Sequence, residues 1–127
     1  MKKWFLSIGF LIVLFSFKSI TQDTEDVITA LKTGNATEVA SYFDNLIDLT
    51  LPDKDELKNI SKNQATIAIK SFFDENGIKG FNLTSQRESG QTMYIAGKLQ
   101  GRIDNKNITI LLKKNTNKVL IISMRIG

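Results

Sequence analysis

The chain has no cysteine and no histidine, and only one proline and one tryptophan among its 127 residues. Without cysteine there is no disulfide, no thiolate nucleophile and no site for a cysteine-linked lipid. With both types missing, the nitrogen and sulfur ligands of zinc-type metal sites are gone. Histidine acid–base catalysis and Ser-His-Asp or Cys-His hydrolysis are excluded as well. Any catalysis would have to run on carboxylates, tyrosine, lysine or hydroxyls. No cofactor and no metal are expected.

Long apolar runs are equally scarce, with one exception at the start. Lys2 and Lys3 precede a run from Trp4 to Phe17 that is broken only by Ser7, Gly9 and Ser16. A polar exit follows, with Ser19 and Thr21 at the −3 and −1 positions for a cut before Gln22. This is the pattern of a secretory signal peptide over residues 1–21. The run is shorter than the roughly 20 apolar residues a membrane span needs. The membrane is therefore expected to matter only through this transient leader.

The leader accounts for most of the chain's basic character. The whole sequence has 17 bases and 13 acids. Residues 22–127 keep 14 bases and all 13 acids, so their net charge is +1. A nucleic-acid footprint is not expected on that balance. The tryptophan and half of the phenylalanines also lie before Gln22. A secreted domain without disulfides points to a bacterial secreted or periplasmic protein held together by an aliphatic core. No linker or repeat divides residues 22–127, which read as one domain.

The first half of that domain reads as helical. Asp23 or Thr24 can cap a helix with Val27, Ile28 and Leu31 on its apolar stripe, ending at Gly34. Asn35, with Glu38 three residues on, caps a second. Ser61 and Gln64 open a third, with Ala65, Ala68, Ile69, Phe72 and Phe73 at helical spacing and Gly77 at its end. Between the last two, Leu46 to Pro52 alternates as a short strand. Asp53, Asp55 and Glu56 then read as helix-start acids, since they lack the register and the glycine of a calcium loop.

The second half reads as four strands, Lys79–Ser89, Gln91–Ile103, Asn107–Lys114 and Lys118–Ile126, with a turn at Asp104-Asn105-Lys106. Short turns require antiparallel neighbours. The fold class is α+β: three helices packed on a curved antiparallel sheet of four long strands plus one short strand. Met93, Ile95, Leu99, Ile110, Leu112, Leu120 and Ile122 are expected inside.

Three stretches carry a family resemblance. One is Tyr42-Phe43-Asp44-Asn45-Leu46-Ile47-Asp48-Leu49-Thr50-Leu51-Pro52-Asp53-Lys54. Another is Ser61-Lys62-Asn63-Gln64-Ala65 with Phe72-Phe73. The third is Tyr94-Ile95-Ala96-Gly97-Lys98-Leu99 with Met124-Arg125-Ile126, where Met124 stands in place of an expected leucine. Together they resemble a family of small secreted bacterial proteins known as domain of unknown function 4783. The resemblance implies a cystatin-like, nuclear-transport-factor-two-like cone. It implies no activity and transfers no catalytic residue.

A cone of this kind offers a pocket between helices and sheet. Asp48 and Tyr94 are the only plausible acid and phenol for it, and no catalytic residue is assigned beyond these two candidates. A buried Asp48 would be a proton acceptor through desolvation. On an exposed strand face it would be solvated, or paired with Arg125 or Lys98. Lys98, Arg102, Lys113, Lys114 and Arg125 give the later strands a basic polar face. Alternation places Tyr94, Ala96, Lys98, Leu111, Val119, Ile121 and Arg125 together on the open side of the sheet. An aliphatic patch there would meet a second copy or another protein. The leading expectation is a non-catalytic binding or protein-interaction module, for a small apolar ligand or a protein. The alternatives are an isomerase- or dehydratase-type enzyme using the pocket, and a structural envelope protein.

Overall fold

The computed structural model describes residues 20–127. The expected leader lies outside the described residues, apart from Ile20 and Thr21, where the first helix begins. In chain order the elements are α1 (Ile20–Lys32), α2 (Ala36–Ala40), β1 (Phe43–Thr50), β2 (Leu57–Ser61), α3 (Lys62–Asn76), β3 (Gly80–Ser89), β4 (Thr92–Gln100), β5 (Asn105–Asn115) and β6 (Lys118–Ile126).

The helix ends are set by their caps. The Asn35 side chain accepts from the Glu38 N–H at 3.1 Å and starts α2. Ser61 Oγ accepts from the Gln64 N–H at 3.2 Å and starts α3. Gly77 closes α3 at φ 57°, in the left-handed region that suits a residue without Cβ. Ala65, Ile69, Phe72 and Phe73 are buried along one face of α3, as their spacing predicts. α1 differs from expectation. It is already helical at Ile20, so Asp23 is not its cap but lies within its first turns.

The strands form one sheet in the order β2-β1-β6-β5-β4-β3. This corrects the expected four long strands plus one short. Among the described residues there are six strands, and β1, at 8 residues, is not a short one. The addition is β2. It is an edge strand whose five residues are all exposed or half-buried, so no alternation marks it. The sheet is antiparallel except where β1 lies parallel to β6. Asp53, Asp55 and Glu56 precede this strand rather than a helix, and α3 begins only at Lys62. The β4–β5 connection also shifts. Gln100 ends β4, the turn runs through Gly101 to Asp104, and Ile103 stands 90% exposed at its tip.

One continuous apolar core fills the space between helices and sheet. It takes Val27 and Leu31 from α1, Val39 from α2, Ile69 and Phe73 from α3, and the inward side chains of the strands. The sheet bends at bulges. The register shifts between Leu83 and Ser85 on β3, and again on β6 where Leu111 faces Ser123 but Leu112 faces Ile121. An extra residue at such a place kinks the strand and moves every later side chain to the other face.

Candidate functional site

Among the described residues, the acids and phenol that reach toward the inside of the cone all have partners: Tyr42 donates to Asp26 Oδ2 at 3.5 Å. Asp23 is buried at 4% exposure, and its Oδ2 accepts from the Val119 N–H at 3.3 Å. The Thr24 hydroxyl donates to the Met93 sulfur at 3.1 Å. These contacts tie the first turns of α1 to β4 and β6. No group of three or more acidic side chains close enough to hold a metal lies among the described residues. Grooves of about 480 Å³ and 430 Å³ open on the outside of α3.

Asp48 and Tyr94 stand on the outer face of the sheet, across from the helices. Asp48 alternates with inward Ile47 and Leu49 and lies beside Ser123 on β6. Its Oδ1 accepts from the Asn59 N–H at 2.8 Å. No ion pair links it to Arg125 or Lys98. Asn59 sits at φ 53°, so Asp48 holds the irregular β1–β2 pairing at a residue in the left-handed region. Asp48→Ala is expected to cost about 1 kcal/mol by leaving that N–H without its acceptor. Asp48→Asn, which keeps a side-chain oxygen, should cost less. Urea denaturation of the two variants checks this, and equal midpoints would contradict it.

The expected interaction face divides. Tyr94 is 37% exposed, Ala96 and Leu111 are half-buried, and Lys98 and Arg125 are exposed, all on the outer side. Val119 and Ile121 are not there. They are buried in the core, at 1% and 0% exposure. Leu120 and Ile122, expected inside, are the half-exposed ones. The bulge at Ile122 is the reason. Met124 and Ile126 point inward after it, Val119 and Ile121 before it.

The basic residues also sort themselves. Lys113 joins Lys98 and Arg125 on the outer face, opposite Thr92. Lys114 instead pairs with Glu88. Arg102 leaves the sheet, and its Nη2 donates to the Glu75 carbonyl at 3.3 Å. Sequence alternation missed Arg87. The bulge after Leu83 brings it onto the outer face beside Tyr94. Arg87, Ser89, Thr92 and Tyr94 line a groove of about 300 Å³ there.

Three helices on one side of a curved six-stranded sheet, with the other side open, define a nuclear-transport-factor-two-like α+β protein. Within that class the chain belongs to the family described as "Domain of unknown function (DUF4783)", which matches residues 24–127. A crystal structure of a DUF4783 family protein from Bacteroides ovatus is 32% identical with a TM-score of 0.74, over 80% of this chain and 90% of that one. One from Bacteroides uniformis is 27% identical with a TM-score of 0.74, over 81% and 94%. A protein of unknown function from Cytophaga hutchinsonii, described as NTF2-like, is 11% identical with a TM-score of 0.61, over 88% and 92%. This last likeness concerns the fold alone. No curated protein matches the chain.

Proposed function

We propose that this protein is a non-catalytic binding module, exported from a bacterial cell after cleavage near Thr21/Gln22, that docks a protein through the outer face of its sheet. One observation carries the reading. The interior is filled by apolar side chains, while Tyr94, Leu111 and Ala96 are left half-exposed or exposed on a face that no other element among the described residues covers. A pocket enzyme would need the reverse, with its acid or phenol aimed into a cavity. Asp48 and Tyr94 both face outward, and Asp48 already serves a backbone N–H. The export step is supported by the charged, apolar and polar order of residues 1–21.

Native mass spectrometry of the protein purified from its own cells tests both parts. The expected mass is that of a chain beginning near Gln22, carrying a bound protein. Leu111→Arg should release that partner and leave the fold intact, because Leu111 is only half-buried. A monomer retaining a small molecule within the fold, released by no outer-face variant, would overturn the docking role. A mass including residues 1–21 would overturn the cleavage.

A further inference from the structure

Resting on that docking role, the charges of the outer face narrow the partner's chemistry. Residues 22–127 are nearly balanced, with 14 bases and 13 acids. The outer face is not. By register, Arg87, Tyr94, Leu111, Ser123 and Asp48 form one row across five strands. Thr92, Lys113 and Leu120 lie in the row on one side of it. Ala96, Thr109 and Arg125 lie in the row on the other, and Lys98 one step further. Arg87, Lys98, Lys113 and Arg125 are all exposed, and none makes an ion pair with an acid among the described residues. Asp48 is the one acid in these rows, and its Oδ1 is held by Asn59.

We infer that this face docks an acidic protein segment, apolar at its centre, and not a second copy of the chain. A two-fold pairing of the face with itself would set its four cations against four more, with only the Asp48 carboxylates, and Asp44 at the start of β1, to offset them. Like charges brought together in an interface oppose association. An acidic partner removes that conflict. Its apolar side chains meet Leu111, Ala96 and the exposed edge of Tyr94, and its carboxylates meet the basic rim. The groove beside Tyr94 suits one such carboxylate. The Arg87 guanidinium can clamp it with two parallel N–H donors, and the Ser89 and Thr92 hydroxyls line the same groove. A single aromatic side chain is a poor stacking platform for single-stranded nucleic acid.

The test is binding of the purified protein to a short labelled peptide that alternates glutamate with leucine and phenylalanine. Its glutamine-for-glutamate counterpart, phosphatidylglycerol vesicles and an oligothymidine are run beside it. The acidic peptide should bind at least about tenfold more tightly than its glutamine counterpart, the factor that one charge-assisted contact supplies. That preference should shrink with added salt. The Arg87→Glu/Lys113→Glu double variant should lose it while keeping its circular dichroism spectrum. Equal binding of the two peptides would overturn the acidic partner and leave the docking role standing. Preference for the vesicles or the oligothymidine would overturn a protein partner. A dimer in sedimentation that Leu111→Arg disperses would make a second copy the occupant and overturn the inference. If no probe binds and Leu111→Arg also releases nothing from the native protein, the inference and the docking role fall together.

Discussion

Phe43→Ala is expected to destabilise the protein by about 3–5 kcal/mol, the range for removing a fully buried aromatic ring. Phe43 is 1% exposed and is among the bulkiest fully buried side chains. It opens β1 immediately after α2 and lies opposite Ile121 of β6. The Ile121 N–H donates to the Tyr42 carbonyl at 2.7 Å at the same place. This is where the parallel β1–β6 contact joins β1 and β2 to the β3–β6 meander. A void here loosens the junction between the two halves of the sheet as well as the core. A chain without cysteine has no disulfide to limit the loss. Against a total of about 5–15 kcal/mol for a typical domain, this one substitution removes a large share. Scanning calorimetry should show the midpoint falling by about 12 °C or more. Leu46→Ala, three residues along the same strand but at a side chain 56% exposed, should change stability by under about 0.5 kcal/mol. Similar midpoints for the two variants would mean that β1 does not seat in the core.

The parts of the fold legible in the sequence are those specified by neighbours in sequence. Asn35 with Glu38 and Ser61 with Gln64 each put an acceptor within reach of an N–H three residues on, and both helices start there. Gly77 marks the end of α3 because its backbone conformation is one other residues resist. β2 was not legible. Leu57 to Ser61 bury nothing fully, and their partners on β1 lie eight to fifteen residues away in sequence. The first turns of α1 failed for a related reason. Asp23 looks like a cap, yet its Oδ2 accepts from the Val119 N–H, 96 residues distant.

The errors at the candidate site share one physical cause. Strand faces are read by counting in twos, and one extra residue reverses the count. Counting back from Met124 puts Ile122 and Leu120 inside. The bulge at Ile122 puts Ile121 and Val119 there instead. Counting forward from Phe81 and Leu83 puts Arg87 inside. The bulge after Leu83 brings it out beside Tyr94. Both strands consist of residues that pack acceptably on either face, so local pattern does not announce the insertion. β4, which has no bulge toward β5, was read correctly from Thr92 to Gln100, including outward Tyr94, Ala96 and Lys98, but its expected end at Ile103 overshot into the turn.

Gly97→Leu should be the most damaging substitution on the sheet outside the large core side chains, costing about 3 kcal/mol, the upper part of the overpacking range. Gly97 lies on the inward side of β4, between Ile95 and Leu99 and opposite Leu83 and Ile108. A Cβ added there would meet the Asn82 carbonyl oxygen, and would come within 2.5 Å of Phe81 Cε1 and 2.6 Å of Cζ. The Phe81 ring thus occupies the space a side chain at 97 would take, one step diagonally across the strand pair. An aromatic ring laid over a strand glycine lets β3 and β4 bend together next to the Leu83–Ser85 bulge. The extra residue of that bulge is what carries Arg87 to the outer face, so a disturbance beside it reaches the docking surface. Even Gly97→Ala should destabilise, since its single methyl already meets both obstacles. Phe81→Leu in the Gly97→Ala background should recover part of the loss, because the ring can be removed. It should not recover all of it, because the Asn82 carbonyl belongs to the backbone. Urea unfolding of the two single variants and the double variant gives the coupling directly. Strict additivity would mean that Phe81 and Gly97 do not share this space. If they do share it, the same variants should weaken binding at Arg87 and Tyr94 more than loss of stability alone accounts for.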